Sequence, residues 1–75
     1  MDEKIGEIVF FHRRQSGLSR EQLADLAGVG KTVIYDVEKG KKTVRFSTLT
    51  KILNTLNIKI VFKSPLMKEF LDEAS

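Results

Sequence analysis

Lys31, Thr32, Tyr35 and Asp36 recur at a spacing that puts them on one side of a helix, opposite Val33, Ile34 and Val37. Their polar groups suit recognition rather than reaction. A lysine can donate to guanine O6 and N7, and a threonine can offer a hydroxyl or methyl contact. A tyrosine can reach a phosphate or stack on a thymine methyl. Asp36 repels phosphate, so it either accepts from a cytosine amino group or pairs locally with Lys39 or Arg20. The alternative for each of the four is an ordinary exposed polar residue. Reaction chemistry finds no comparable set. The chain has no cysteine and a single histidine, and it holds no nucleophile–base–orienter group, no metal-ligand spacing and no phosphate-cradling loop. Gly28-x-Gly30 is turn chemistry. His12 lies on an apolar helix face, where a packed, hydrogen-bonded side chain is the expected role. We therefore expect neither an enzyme nor a cofactor or metal site.

Positioning these residues requires the stretch Leu18 to Lys41. Ser19 opens a helix there, and Gln22 completes a capping box of the S-x-x-E/Q kind. Leu23, Ala24, Leu26 and Ala27 form its apolar face. Gly28-Val29-Gly30 breaks the pattern. A second helix follows, bearing the four candidates, and Gly40 stops it. Two short helices joined by a tight glycine turn are the layout of a helix-turn-helix, whose second helix can enter the DNA major groove. Lys31 and Thr32 fall in the first turn, where base edges are met.

The flanking segments support this unit. Residues 3–16 read as a helix with Ile5, Ile8, Val9 and His12 on one face and Phe10 and Phe11 at its edges. Acids at Asp2, Glu3 and Glu7 and bases at Arg13 and Arg14 suit the helix dipole, and Gly17 ends the helix. Glu38, on the flank of the second motif helix, is placed to pair with Arg13. Residues 41–46 form a basic connector in which Lys41, Lys42 and Arg45, with the outward Lys39, suit the phosphate backbone. Residues 46–57 read as a helix with a stripe of Phe46, Leu49, Ile52, Leu53 and Leu56. Residues 58–63 alternate with period two and read as a strand. One strand in a helical chain has no ladder partner, and its backbone groups still need hydrogen bonds. The same strand of a second copy would supply them through Ile58, Ile60, Val61 and Phe62 about a two-fold axis, while Lys59 and Lys63 blunt further association. The tail, 64–75, is a short helix or disordered. It docks on its own dimer, orders on a partner or remains free.

Composition agrees. Seventy-five residues make one domain with a marginal core, and without disulfides oligomerisation is the remaining common source of stability. Residues 13–51 hold nine Lys/Arg against four acids, whereas both ends of the chain are acidic. A basic centre is the footprint of phosphate contact. No apolar run is long enough for a membrane span and no secretory segment is evident, so a cytoplasmic location is expected.

From Arg13 through Leu56 the sequence resembles the lambda-repressor-like, Xre-type helix-turn-helix family. The resemblance rests on Arg13, Gly17-Leu18-Ser19, Leu23-Ala24, Ala27-Gly28-Val29, Ile34, Glu38-x-Gly40-Lys41 and the Leu49/Ile52/Leu53/Leu56 helix. It implies that Lys31, Thr32, Tyr35 and Asp36 face bases. It also implies that Arg20 stands between phosphate and the recognition helix, and that Arg13 and Glu38 form a buried pair. The added strand is similar to HipB-type antitoxins, in which it pairs across the dimer. The implied function is a sequence-specific repressor, dimeric on an inverted-repeat operator of double-stranded DNA, acting as the autoregulating antitoxin of a toxin–antitoxin operon. Two alternatives are a module whose main task is neutralising a HipA-like kinase, and a restriction–modification controller protein. Arg20 and Lys31 replace the glutamines common in the family, so no operator can be carried over. The expected architecture is mainly α, with four to five helices: a DNA-binding domain over 1–63 that includes the dimerisation strand 58–63, then the tail.

Overall fold

The computed structural model describes residues 3–74. Met1, Ser75 and Asp2, and with Asp2 part of the expected dipole arrangement, lie outside the described residues. Five helices follow one another: α1 (Glu3–Gln15), α2 (Arg20–Ala27), α3 (Lys31–Glu38), α4 (Phe46–Thr55) and α5 (Met67–Ala74). The helix-turn-helix expected over 18–41 is α2, its turn and α3. Ser19 caps α2 as a capping box: its hydroxyl accepts from the Gln22 N–H at 3.0 Å, and its own N–H donates to Gln22 Oε1 at 2.8 Å.

The first four helices end in one way. A residue in the left-handed conformation follows each: Gly17, Gly28, Gly40 and Asn57. The next N–H then reaches back five residues, from Leu18 to Arg13 O, Val29 to Ala24 O, Lys41 to Asp36 O and Ile58 to Leu53 O. This is the Schellman closure, which satisfies carbonyls that the helix leaves open. Asn57, with φ 59°, is the one non-glycine among the four, and asparagine tolerates this conformation better than most side chains.

The helices close around Val9, Leu23, Ile34 and Ile52, all without solvent exposure, joined by Ala24, Val37, Leu49, Leu53 and Leu56. α3 packs on both α1 and α2, and α2 also packs on α4. The contact of α1 with α3 is close. A β-carbon at Gly6 would overlap the carbonyl oxygens of Val37 and Glu38, so only glycine lets α1 lie against the end of α3.

Three residues expected on apolar faces lie further out than the sequence reading placed them. Leu26 and Phe46 sit at the edges of their apolar faces and are mostly exposed, and Ile8 is partly so. A helical wheel gives a face but not how far a neighbour covers it. The tail is helical over Met67–Ala74, yet buries no residue. Residues 58–64 take no regular secondary structure, and no strand occurs among the described residues. A strand needs a ladder, and a single chain supplies no second strand to this segment. Ile58 instead packs on its own core, and Ile60 borders an open apolar groove with Ile5, Ile8, Phe46 and Leu49. No helix among the described residues is long and apolar enough to cross a membrane.

Candidate nucleic-acid interface

The interface is built from the inside out. Arg13 is buried in α1, and its Nη1 donates to the Leu18 carbonyl at 2.9 Å. Its Nε donates to Glu38 Oε2 at 2.6 Å and its Nη2 to Oε1 at 3.1 Å. Such a fork on a carboxylate is the strong form of the ion pair. Glu38 is buried with it, at 3% side-chain exposure. Arg20 adds a second guanidinium, whose Nε donates to Glu38 Oε1 at 3.0 Å. Unlike Arg13 it is partly exposed, at 38% of its side chain. One buried carboxylate at the end of α3 thus holds a core arginine from α1 and a surface arginine from α2. The Arg13–Glu38 pair was readable from the sequence. The shared use of Glu38 by Arg20 was not, because helical spacing does not reveal how two helices cross.

That network orients the outer face of α3. The Arg20 guanidinium lies 5.3 Å from the Tyr35 ring centroid, and Lys39 Nζ lies 5.4 Å from it. Both are within cation–π range. Tyr35 is about half exposed, with both cations against its ring. Arg20, Lys31, Thr32 and Tyr35 line an open hollow of about 250 Å³. Lys31 and Thr32 are exposed in the first turn of α3, and Lys31 Nζ stands 3.8 Å from Glu21, itself exposed, in a contact too loose to hold it. Four of the residues singled out by sequence are therefore brought together on one surface. Asp36 is turned aside. Its Oδ2 lies 3.4 Å from Lys41 Nζ, rather than beside Lys39 or Arg20 as the sequence reading allowed. Lys42 and Arg45 are exposed on the connector after α3. His12 Nδ1 lies 2.7 Å from the Ile8 carbonyl, within its own helix.

A short helix with exposed donors in its first turn, backed by a rigid ion-pair network and flanked by lysines and arginines, defines a DNA-binding helix-turn-helix protein. The chain belongs to the helix-turn-helix family whose model matches residues 12–63, and its relatives are transcriptional regulators. It is 36% identical over 61 residues to an uncharacterised HTH-type transcriptional regulator, y4mF, of Sinorhizobium fredii, covering 81% of this chain and 80% of that relative. It is 37% identical over 70 residues to the control protein C.SmaI of Serratia marcescens, covering 89% of this chain and 83% of the relative. Among solved structures, the restriction–modification controller protein C.AhdI of Aeromonas hydrophila superposes with TM-score 0.68 at 32% identity, covering 75% of this chain and 85% of that one. A point mutant of the restriction–modification controller protein C.Esp1396I gives TM-score 0.70 at 25% identity, over 93% and 92% of the two chains. A chain of a HipA-HipB-O2-O3 complex gives TM-score 0.74 at 21% identity, over 83% and 87%, a likeness of fold.

Proposed function

We propose that this chain is a dimeric repressor that reads an inverted-repeat operator through Lys31, Thr32 and Tyr35, with Arg20, Lys39, Lys41, Lys42 and Arg45 on phosphates. The observation that carries the reading is the outer face of α3, presented by the Arg13–Glu38–Arg20 network beside a basic connector. Two copies would place their recognition helices in successive major grooves, about 34–36 Å apart.

The dimer contact is proposed at residues 58–63, extended by α5. Ile60, Val61, Phe62, Leu66, Phe70 and Leu71 are all exposed large apolar side chains within twelve residues. Such concentrations on a small chain mark an interaction surface. Val61 and Phe62 are the most exposed of them, which favours pairing of 58–63 across a two-fold axis.

Among regulators, a controller-type role is supported by identities of 37% and 32% to C.SmaI and C.AhdI. The match to C.Esp1396I, over 93% of this chain at 25% identity, supports the same role. An antitoxin role is the second reading. It draws on the fold likeness to the HipB-containing complex, and it would give α5 a HipA-like kinase to hold. The neighbouring gene discriminates: a restriction or methylation enzyme favours the first, a kinase of that kind the second.

The test is selection of bound duplexes from a random pool. The expected product is an inverted repeat with half-sites one helical turn apart. An enrichment no greater than that given by a chain with Lys31, Thr32 and Tyr35 all changed to alanine would refute the reading.

A further inference from the structure

The end of α3 departs from the other helix ends. After α1, α2 and α4 the residue that follows the left-handed position is Leu18, Val29 or Ile58, and each packs against the core. An apolar residue is the usual companion of this closure. After Gly40 of α3 the residue is Lys41. Its N–H donates to the Asp36 carbonyl at 2.9 Å, and its Nζ reaches Asp36 Oδ2 at 3.4 Å. The backbone closure thus fixes the cation beside that one carboxylate.

The pair does little for the fold. Lys41 is 55% exposed and Asp36 28%, and exposed pairs contribute little. Its charge matters more. Residues 31–45 contain two acids, and Glu38 is committed to Arg13 and Arg20. With Glu21 beside Lys31, Asp36 is therefore one of two acids that an approaching DNA backbone meets on this face, and the one that a lysine side chain holds by a hydrogen bond. It borders an open groove of about 330 Å³ with Lys41, Thr43, Arg45 and Thr48. When α3 enters the major groove, a backbone phosphate and the Asp36 carboxylate compete for Lys41. If the phosphate takes Lys41, Asp36 loses its partner and needs another donor.

We infer that the Asp36–Lys41 pair is a sequence filter: Lys41 engages a backbone phosphate only where the DNA offers Asp36 a base amino group in exchange. The filter rests on the DNA-reading function proposed above. On a matching site, a cytosine or adenine amino group replaces Lys41 as partner of Asp36, and the complex makes one more phosphate contact. On other sequences Lys41 stays on Asp36 and that contact is missing. Asp36 then acts by withholding a phosphate contact from wrong sites, which is discrimination by an unfavourable element as well as by a favourable one.

The experiment titrates the full chain, Asp36→Asn and Lys41→Met with the duplex enriched by wild type and with a scrambled duplex, from 50 to 200 mM salt. One phosphate contact changes the slope of log K on log salt by about 0.9. Wild type is expected to show a slope steeper by that amount on the enriched duplex, so the ratio of the two affinities falls about 3–4-fold across the range. In Asp36→Asn the slopes coincide because the scrambled duplex gains the contact. In Lys41→Met they coincide because the enriched duplex loses it. Equal slopes in wild type refute the filter. A slope difference that persists in both variants also refutes it, as does a change of base preference in Asp36→Asn with the slope difference intact. A wild-type chain that enriches no sequence refutes the underlying DNA-reading function, and the filter with it.

Discussion

Removing the Glu38 carboxylate would leave the Arg13 guanidinium in the core with the Leu18 carbonyl as its remaining hydrogen-bond partner beside the Phe10 ring, and would release Arg20 from its anchor. Breaking a buried pair from one side costs about 3–5 kcal/mol, so Glu38→Ala should lower stability to urea by that order, measured by far-UV circular dichroism. Outside the core the effects should fall on binding. Lys31→Ala is expected to relax preference at one or two base positions at a cost of about 1–3 kcal/mol, read by competition with single-base operator variants. Lys42→Ala should weaken all sequences alike and reduce the salt slope by about 1. Uniform weakening in Lys31→Ala would remove it from the readers. At this scale the sequence was informative where spacing along one helix decides. The outward set on α3 follows from projecting a single helix, and the Arg13–Glu38 pair from the inner flank on which each falls together with the family resemblance. The placement of Arg20 over Tyr35 joins two elements and the turn of Asp36 to Lys41 depends on a backbone closure, and periodicity carries neither.

At the level of elements the stops and starts were written in residue types. The capping box at Ser19 and the glycines after α1, α2 and α3 place the helix-turn-helix within a residue or two, because each satisfies backbone groups that a helix end leaves open. Ser19→Ala should cost about 1 kcal/mol, visible as a lowered urea midpoint. Gly6 was invisible to the same reasoning. It looks like a poor helix residue, and its value lies in a carbonyl of another helix that no local pattern announces. Gly6→Ala should improve local helix propensity yet destabilise the fold by about 1–3 kcal/mol through overpacking. A gain in thermal stability would mean that α1 does not lie against α3 as described. The exposed positions of Leu26 and Phe46 belong to the same class, since coverage depends on the neighbour and not on the helix itself.

For the whole molecule, one chain presents one recognition helix, and an inverted repeat requires two held at fixed spacing. The alternating pattern of 58–63 is the basis for proposing a second copy as partner, and the structure leaves Val61 and Phe62 exposed while Ile58 packs on the core. That division makes Phe62 the cleaner probe, because Ile60 also borders a groove of its own chain. Phe62→Asp should give a folded monomer by sedimentation with weak DNA binding, whereas Ile60→Asp should disturb packing as well. The most direct test of the central claim is the affinity for the enriched operator after insertion of five base pairs, about half a helical turn, between its half-sites. Two recognition helices fixed by one dimer predict that binding falls to the level of an isolated half-site. Undiminished binding would contradict a dimer that reads both halves at once.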